Sequence, residues 1–299
     1  MVASVAPLIW SVLNHTDKYL LKKYSGHAGI GALSILSSIF AVVPLPFIFI
    51  LDDTVFKIQT PDLLVLITTG VLTAVGIFFY FHALDHDDAS HVVPFWFLVP
   101  IISYFLGIIF LSEFITTDKI IGSGITLLGA FVLSLEFDSG VTIKKITPIL
   151  MMASSFFLAI NNILFKMAAN DYSFWVSIFW NQVGMLLFGL SLLLFVKRYR
   201  KDFFTMLING HHELLTINVV GEVLQIVAGF FAFYSVLIAP VSLVLLVNYT
   251  IQPLFVFIEG LLLTFIFPGF VTEKINRRHS IQKLSAIVIM AIGIYYIML

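Results

Sequence analysis

The side chains able to do chemistry in this chain are mostly amides, indoles and isolated carboxylates, set at helical spacing inside long apolar runs. Trp10, Asn14 and Lys18 recur at i, i+4 and i+8 with Asp17 beside them. An aromatic plate, an amide and an ion pair therefore share one helix face. Asn161, Asn162 and Lys166 form a similar group in the second half, followed by Trp180, Asn181 and Gln182. Glu222 and Gln225 stand three apart, Asn248 and Gln252 four apart, and Glu259 lies one heptad past Gln252. Pro253 has no N–H to give, so it frees a helical carbonyl beside that last pair.

These groups suit recognition of a solute rather than bond cleavage. Neither H-E-x-x-H nor G-x-S-x-G occurs, and Cys is absent, which excludes thiolate metal sites, disulfides and Cys nucleophiles. Substrate binding is expected of Trp10, Asn14, Tyr80, Trp96, Asn162, Trp180, Asn181, Gln225, Asn248 and Gln252. Tyr80 and Trp96 border one loop and, with Trp10, make a partial aromatic cage for a cationic or aromatic solute. Coupling or gating is expected of Asp17, Lys18, Lys166, Glu222 and Glu259. Glu222 sits roughly eight residues, about 12 Å, inside its helix start. Desolvation there penalises the charged form, which suits a group that loads and releases a proton. The crowded stretch Asp85-His86-Asp87-Asp88-Ala89-Ser90-His91 has the residue types of a metal site. Adjacent ligands do not converge easily on one ion, and Asp88 or Ser90 reads as a helix N-cap. No metal or other cofactor is expected.

The elements that must position these residues are membrane helices. Of the 299 residues 60% are hydrophobic and 11% charged, with mean hydropathy +1.05, too few charges to cover a soluble surface. Net charge is −1, so no basic face exists to hold a polynucleotide and nucleic-acid binding is excluded. Apolar runs of about 20 residues each span a bilayer. They lie at roughly 2–21, 27–51, 63–84, 91–112, 119–136, 147–169, 174–196, 214–237, 241–266 and 281–299. The loops between them read as short and polar, Lys197-Arg198-Tyr199-Arg200-Lys201 among them. Glycines inside the spans, such as Gly122 and Gly124, are expected to permit close helix packing.

The chain also repeats itself. Asn14, Lys18, Tyr24 and Ser25 recur in order as Asn162, Lys166, Tyr172 and Ser173. Pro100 and Gly107 recur as Pro253 and Gly260, and Lys119 and Gly129 as Lys283 and Gly293. The fold expected is an all-α polytopic membrane protein of ten transmembrane helices, built as two five-helix repeats at 1–140 and 146–299. Five is odd, so the second repeat is inverted, an arrangement that places a substrate site at the midplane.

Residues 82–133 carry a more particular pattern: Ala83-Leu84, Ala89-Ser90-x-x-x-Pro94, Pro100, Gly107…Phe110-Leu111-x-Glu113 and Gly122…Gly129. This resembles the EamA repeat of the drug/metabolite transporter superfamily, and the second copy, from Ala239-Pro240-Val241-Ser242 through Pro253 and Gly260, resembles it without the Leu-x-Glu ending. The resemblance implies a carrier of small metabolites, and relatives move amino acids, nucleotide sugars, choline-like cations and other solutes. It also implies both termini inside. Charge points the other way: thirteen Lys and Arg gather on the side opposite the termini, and only Lys57, Lys119 and Lys166 share the terminal side. The positive-inside rule then puts both termini outside.

The resulting expectation is a secondary transporter, not an enzyme, in a prokaryotic inner membrane. It moves a small polar or amphipathic solute by alternating access, with protons as the coupling ion if Glu222 titrates. Its partners are the solute and membrane lipids, and ten spans in one chain suffice for a monomer. The alternative is a lipid or lipid-carrier flippase, for which the 31 Phe would line an acyl groove.

Overall fold

Lipid offers no partner to backbone N–H and C=O groups, so apolar runs of this length must satisfy them internally as helices. A computed structural model describes residues 2–24, 29–86, 92–134, 145–209, 212–266 and 277–298, and every regular element among them is helical. In chain order the α-helices are α1 (Val5–Tyr24), α2 (Ile30–Phe40), α3 (Leu45–Leu51), α4 (Thr60–His86), α5 (Leu98–Leu111) and α6 (Thr117–Ser134). The second half supplies α7 (Ile146–Ala169), α8 (Phe174–Phe195), α9 (Lys197–Asn209), α10 (His212–Ile238), α11 (Val241–Ile266) and α12 (Arg277–Met298).

Among the described residues six stretches are long and apolar enough to cross a membrane: Ile30–Leu51, Thr60–His86, Ile146–Ala169, Phe174–Phe195, Thr216–Ile238 and Val241–Gly260. Phe95–Leu111 and Ile281–Ile297 are apolar but shorter. The chain is an all-helical, multi-pass membrane protein.

Two expected spans are not continuous. The 27–51 run breaks into α2 and α3 across a turn at 41–44, because Pro44 and Pro46 cannot donate the helical bonds needed there. The 91–112 run starts with a 3₁₀ turn, Val93–Phe97, containing Pro94, before α5 begins.

One expected loop is a helix. Lys197 to Lys201 opens α9, whose Phe203 and Met206 are buried against Ala32, Ile35 and Leu36 of α2. Four basic residues in its first turns hide the apolar face from any average of hydropathy, although Tyr199, Phe203 and Met206 fall at the 3.6 period.

Helix packing is close where side chains are small. A Cβ on Gly70 of α4 would meet the Asn181 carbonyl of α8 at 1.9 Å, and one on Gly184 would meet the Ile67 carbonyl at 2.0 Å. Gly122 of α6 and Gly293 of α12 touch likewise, whereas Gly124 faces open space, so only the first of that expected pair packs a helix. Further neighbours are α4 with α7, α1 with α10 and α11, α5 with α7 and α11, and α2 with α8.

Candidate substrate cavity

Helices α1, α2, α4, α7, α8, α10 and α11 surround a cavity of about 390 Å³. Their polar faces turn inward, since the outward faces are left to lipid. Trp10, Asn14, Tyr80, Trp96, Asn162, Asn181, Glu222, Gln225, Asn248 and Gln252 all line it. Helical spacing explains the pairs: Trp10 and Asn14, Glu222 and Gln225, and Asn248 and Gln252 each share one face.

Some of these groups are engaged by the protein. Asn162 Nδ2 donates to the Leu158 carbonyl at 2.7 Å. The close α4–α8 contact at Gly70 brings Thr69 Oγ1 to 2.9 Å from Asn181 Nδ2, which donates to it. Ser37 Oγ, from α2, donates a short hydrogen bond to the Glu222 carboxylate.

Others, despite burial, have no protein partner among the described residues: Trp10 Nε1, Trp96 Nε1, Asn161 Oδ1, Asn181 Oδ1 and both polar atoms of the Asn248 amide. All five residues line the cavity. Their rings and those nearby form a connected group. Trp96 and Tyr80 have centroids 4.4 Å apart, Trp96 and Tyr249 6.0 Å, and Trp10 stacks on Tyr249 at 6.5 Å and 22°. The cage expected from Trp10, Tyr80 and Trp96 therefore closes through Tyr249.

Three expected residues lie elsewhere. Trp180 is one position from Asn181, hence about 100° around the helix. Its Nε1 donates to the Val55 carbonyl at 2.7 Å and its ring packs on Phe56 and Phe179, so it anchors the stretch after α3 and does not line the cavity. Glu259 accepts from Ser11 Oγ at 2.8 Å in the α1–α11 contact, outside the cavity. Lys166 also sits away from it. For Asp17 and Lys18 only the helix is placed, and their side chains lie outside the described residues, as do residues 87–91 of the acidic and histidine-rich loop.

Ser37 and Tyr249 were not picked out from sequence, while Asn161 was grouped with Asn162 but not assigned to binding. Asn161 was legible as the neighbour of Asn162; Ser37 carries no signal in an apolar run. Asp85 also lines the cavity.

Lys166 belongs to a second buried cluster. Ser112, at φ 50°, ends α5 in a left-handed turn that folds Glu113 back over Gly107, where a Cβ would meet its Oε2 at 2.8 Å. The Glu113 carboxylate then accepts from Val241 N at 2.6 Å and from Ser242 Oγ at 2.8 Å, capping α11. Lys166 Nζ stands 3.5 Å from Glu113 Oε1 and donates to the Ala239 carbonyl at 2.7 Å. The Gly107…Leu-x-Glu ending thus has a physical role: it makes space for the acid that joins α5, α7 and α11.

At the loop end of α8, Ser173 Oγ donates to Asp52 Oδ2 at 2.5 Å and accepts from Val176 N as the helix cap. Hydrogen bonds from Ser173 and Thr54 hold the Asp52 carboxyl below the usual carboxylate range.

Comparison with known proteins agrees with this architecture. Residues 1–135 match the sequence profile of the EamA-like transporter family. No curated protein matches the chain. One protein of known crystal structure has a similar fold, with TM-score 0.71 and 16% identity over 98% of this chain and 94% of that one.

Proposed function

We propose that this chain, whose residues 1–135 match the EamA-like transporter family, is a secondary transporter that carries a small polar or amphipathic solute through the cavity by alternating access. The observation that carries this is convergence. Ten polar or aromatic residues, singled out by spacing from both halves of the chain, face one cavity between those halves.

The packing supports an inverted repeat of ten spans. If α1, α2, α4, α5 and α6 correspond to α7, α8, α10, α11 and α12, the contact of α4 with α7 maps onto that of α10 with α1. The contact of α5 with α7 maps onto that of α11 with α1, while α2–α8 and α6–α12 map onto themselves. On that assignment the shorter or more charged helices α1, α5, α6 and α12 cross the membrane too, and the two halves rock about the cavity.

Glu222, hydrogen-bonded to Ser37 at the cavity wall, is the proposed proton-coupling group. Protons and membrane lipids are then the partners of a chain that works as a monomer.

The test begins with thermal melting of the purified protein against soluble metabolites and, separately, lipid head-group compounds. A ligand bound only by the folded state raises the midpoint. A soluble hit that Asn14→Ala or Gln252→Ala abolishes supports the solute reading. Stabilisation by lipid compounds alone replaces it with a flippase. Transport of the hit with unchanged pH dependence in Glu222→Gln removes the proton-coupling assignment.

A further inference from the structure

The unpartnered atoms in the cavity describe the complement of a ligand. Asn248 is only 1% exposed, yet neither its Nδ2 nor its Oδ1 has a protein partner. Exchanging the two atoms would change nothing, since both are unmet. A side-chain amide in that state presents a donor and an acceptor side by side, the pair that an Asn uses to read the edge of a planar base. Tyr249 follows it directly, with Trp10 stacked on its ring and Trp96 tilted against it.

Each buried polar group left without a partner carries an uncompensated desolvation cost. Water can meet these atoms in the resting cavity, but a substrate that displaces the water must replace its bonds. The remaining demand is balanced in number: two indole N–H donors, on Trp10 and Trp96, and two carbonyl acceptors, on Asn161 and Asn181. A purely apolar ring leaves all of them unmet. A non-planar polyol meets the polar atoms but gains little from the ring faces.

Resting on the transporter reading of this cavity, we propose that its substrate is a small planar heteroaromatic solute with adjacent hydrogen-bond donor and acceptor on one edge. That edge pairs with the Asn248 amide, and the ring lies against the Trp10–Tyr249–Trp96 group. A volume of about 390 Å³ accommodates a one- or two-ring solute of this kind.

The experiment uses the full chain in nanodiscs, with hypoxanthine and nicotinamide as planar probes. Cyclohexanecarboxamide, an amide edge without an aromatic face, and toluene, a ring without a polar edge, are the controls. The expected result is a raised melting midpoint with at least one planar probe and with neither control. Asn248→Leu should weaken that probe by at least tenfold while leaving the unliganded midpoint in place. Equal response to cyclohexanecarboxamide, no response to either planar probe, or unchanged affinity in Asn248→Leu overturns the proposal. A second arm loads proteoliposomes with a mixed metabolite extract and follows which solutes leave. Movement of solutes with no planar heteroaromatic among them overturns this substrate class but keeps the transporter. Movement of none overturns both.

Discussion

Two buried polar clusters in this protein differ in how completely they are satisfied. At the Glu113 clasp the carboxylate accepts from Val241 N and Ser242 Oγ and pairs with Lys166, which also donates to Ala239. Glu113 and Lys166 side chains are 7% and 17% exposed. In the cavity, six buried polar atoms on five residues have no protein partner among the described residues. Burial is similar and chemistry overlaps, so the difference lies in use. A cluster that closes on itself stabilises one arrangement of helices, while on the proposed reading one left open keeps its bonds for a solute.

Removing a group from each cluster should therefore have opposite consequences. Glu113→Ala leaves Lys166 without its acid and α11 without its cap, an expected loss of about 3 kcal/mol. On a chain of this size that lowers the melting midpoint by roughly 6 °C or more. Lys166→Met in the same background should recover part of it, and additive losses in the double-mutant cycle would break the idea of a coupled clasp.

Asn248→Leu should do the reverse. Replacing an unpartnered buried amide by an apolar group of similar size is near neutral or stabilising for the unliganded protein. Ligand affinity should fall at least tenfold, about 1.4 kcal/mol. A large drop in the unliganded midpoint would mean the amide serves the fold.

A milder version is Trp96→Phe, which keeps a ring and deletes an unpartnered N–H. Affinity should fall about fivefold, one ordinary hydrogen bond of about 1 kcal/mol, with no change in the fold's stability.

The smallest effect is expected at Asp52, satisfied by Ser173 and Thr54 at a partly exposed helix end. Asp52→Asn should cost below about 0.5 kcal/mol at pH 7, given solvent screening. Because the folded carboxyl titrates below its usual value, its contribution is present above about pH 4 and disappears as pH falls through the folded value. Wild type and Asp52→Asn should thus converge in acid. Divergence in acid would overturn the assigned hydrogen bonds.

Much of the cavity was legible because membranes make polar residues conspicuous. Asn14, Glu222, Asn248 and Gln252 stand out in runs where each unpaired polar group is costly, and helical spacing assigns them to faces. The same reasoning misplaced Trp180: composition does not reveal which side of α8 faces the cavity, and the indole bonds to Val55 instead. Lys166 read as a gating residue because its partner, Glu113, is far away in sequence and reaches it only through the turn at Ser112. The α9 helix was hidden by its own basic residues.

By itself the sequence determined that the chain is helical and membrane-bound, and which faces of its helices are too polar for lipid, since these follow from local hydropathy and a period of 3.6 residues. The match of residues 1–135 to the EamA-like transporter family was legible in local motifs as well. Only the tertiary structure decided which polar atoms find partners. Hydrogen bonds depend on distances of about 3 Å between helices remote in the chain. Thr69 reaches Asn181 because two glycines let α4 and α8 touch, and no hydrogen-bond partner among the described residues reaches the Asn248 amide. That residual pattern separates the clasp from the cavity.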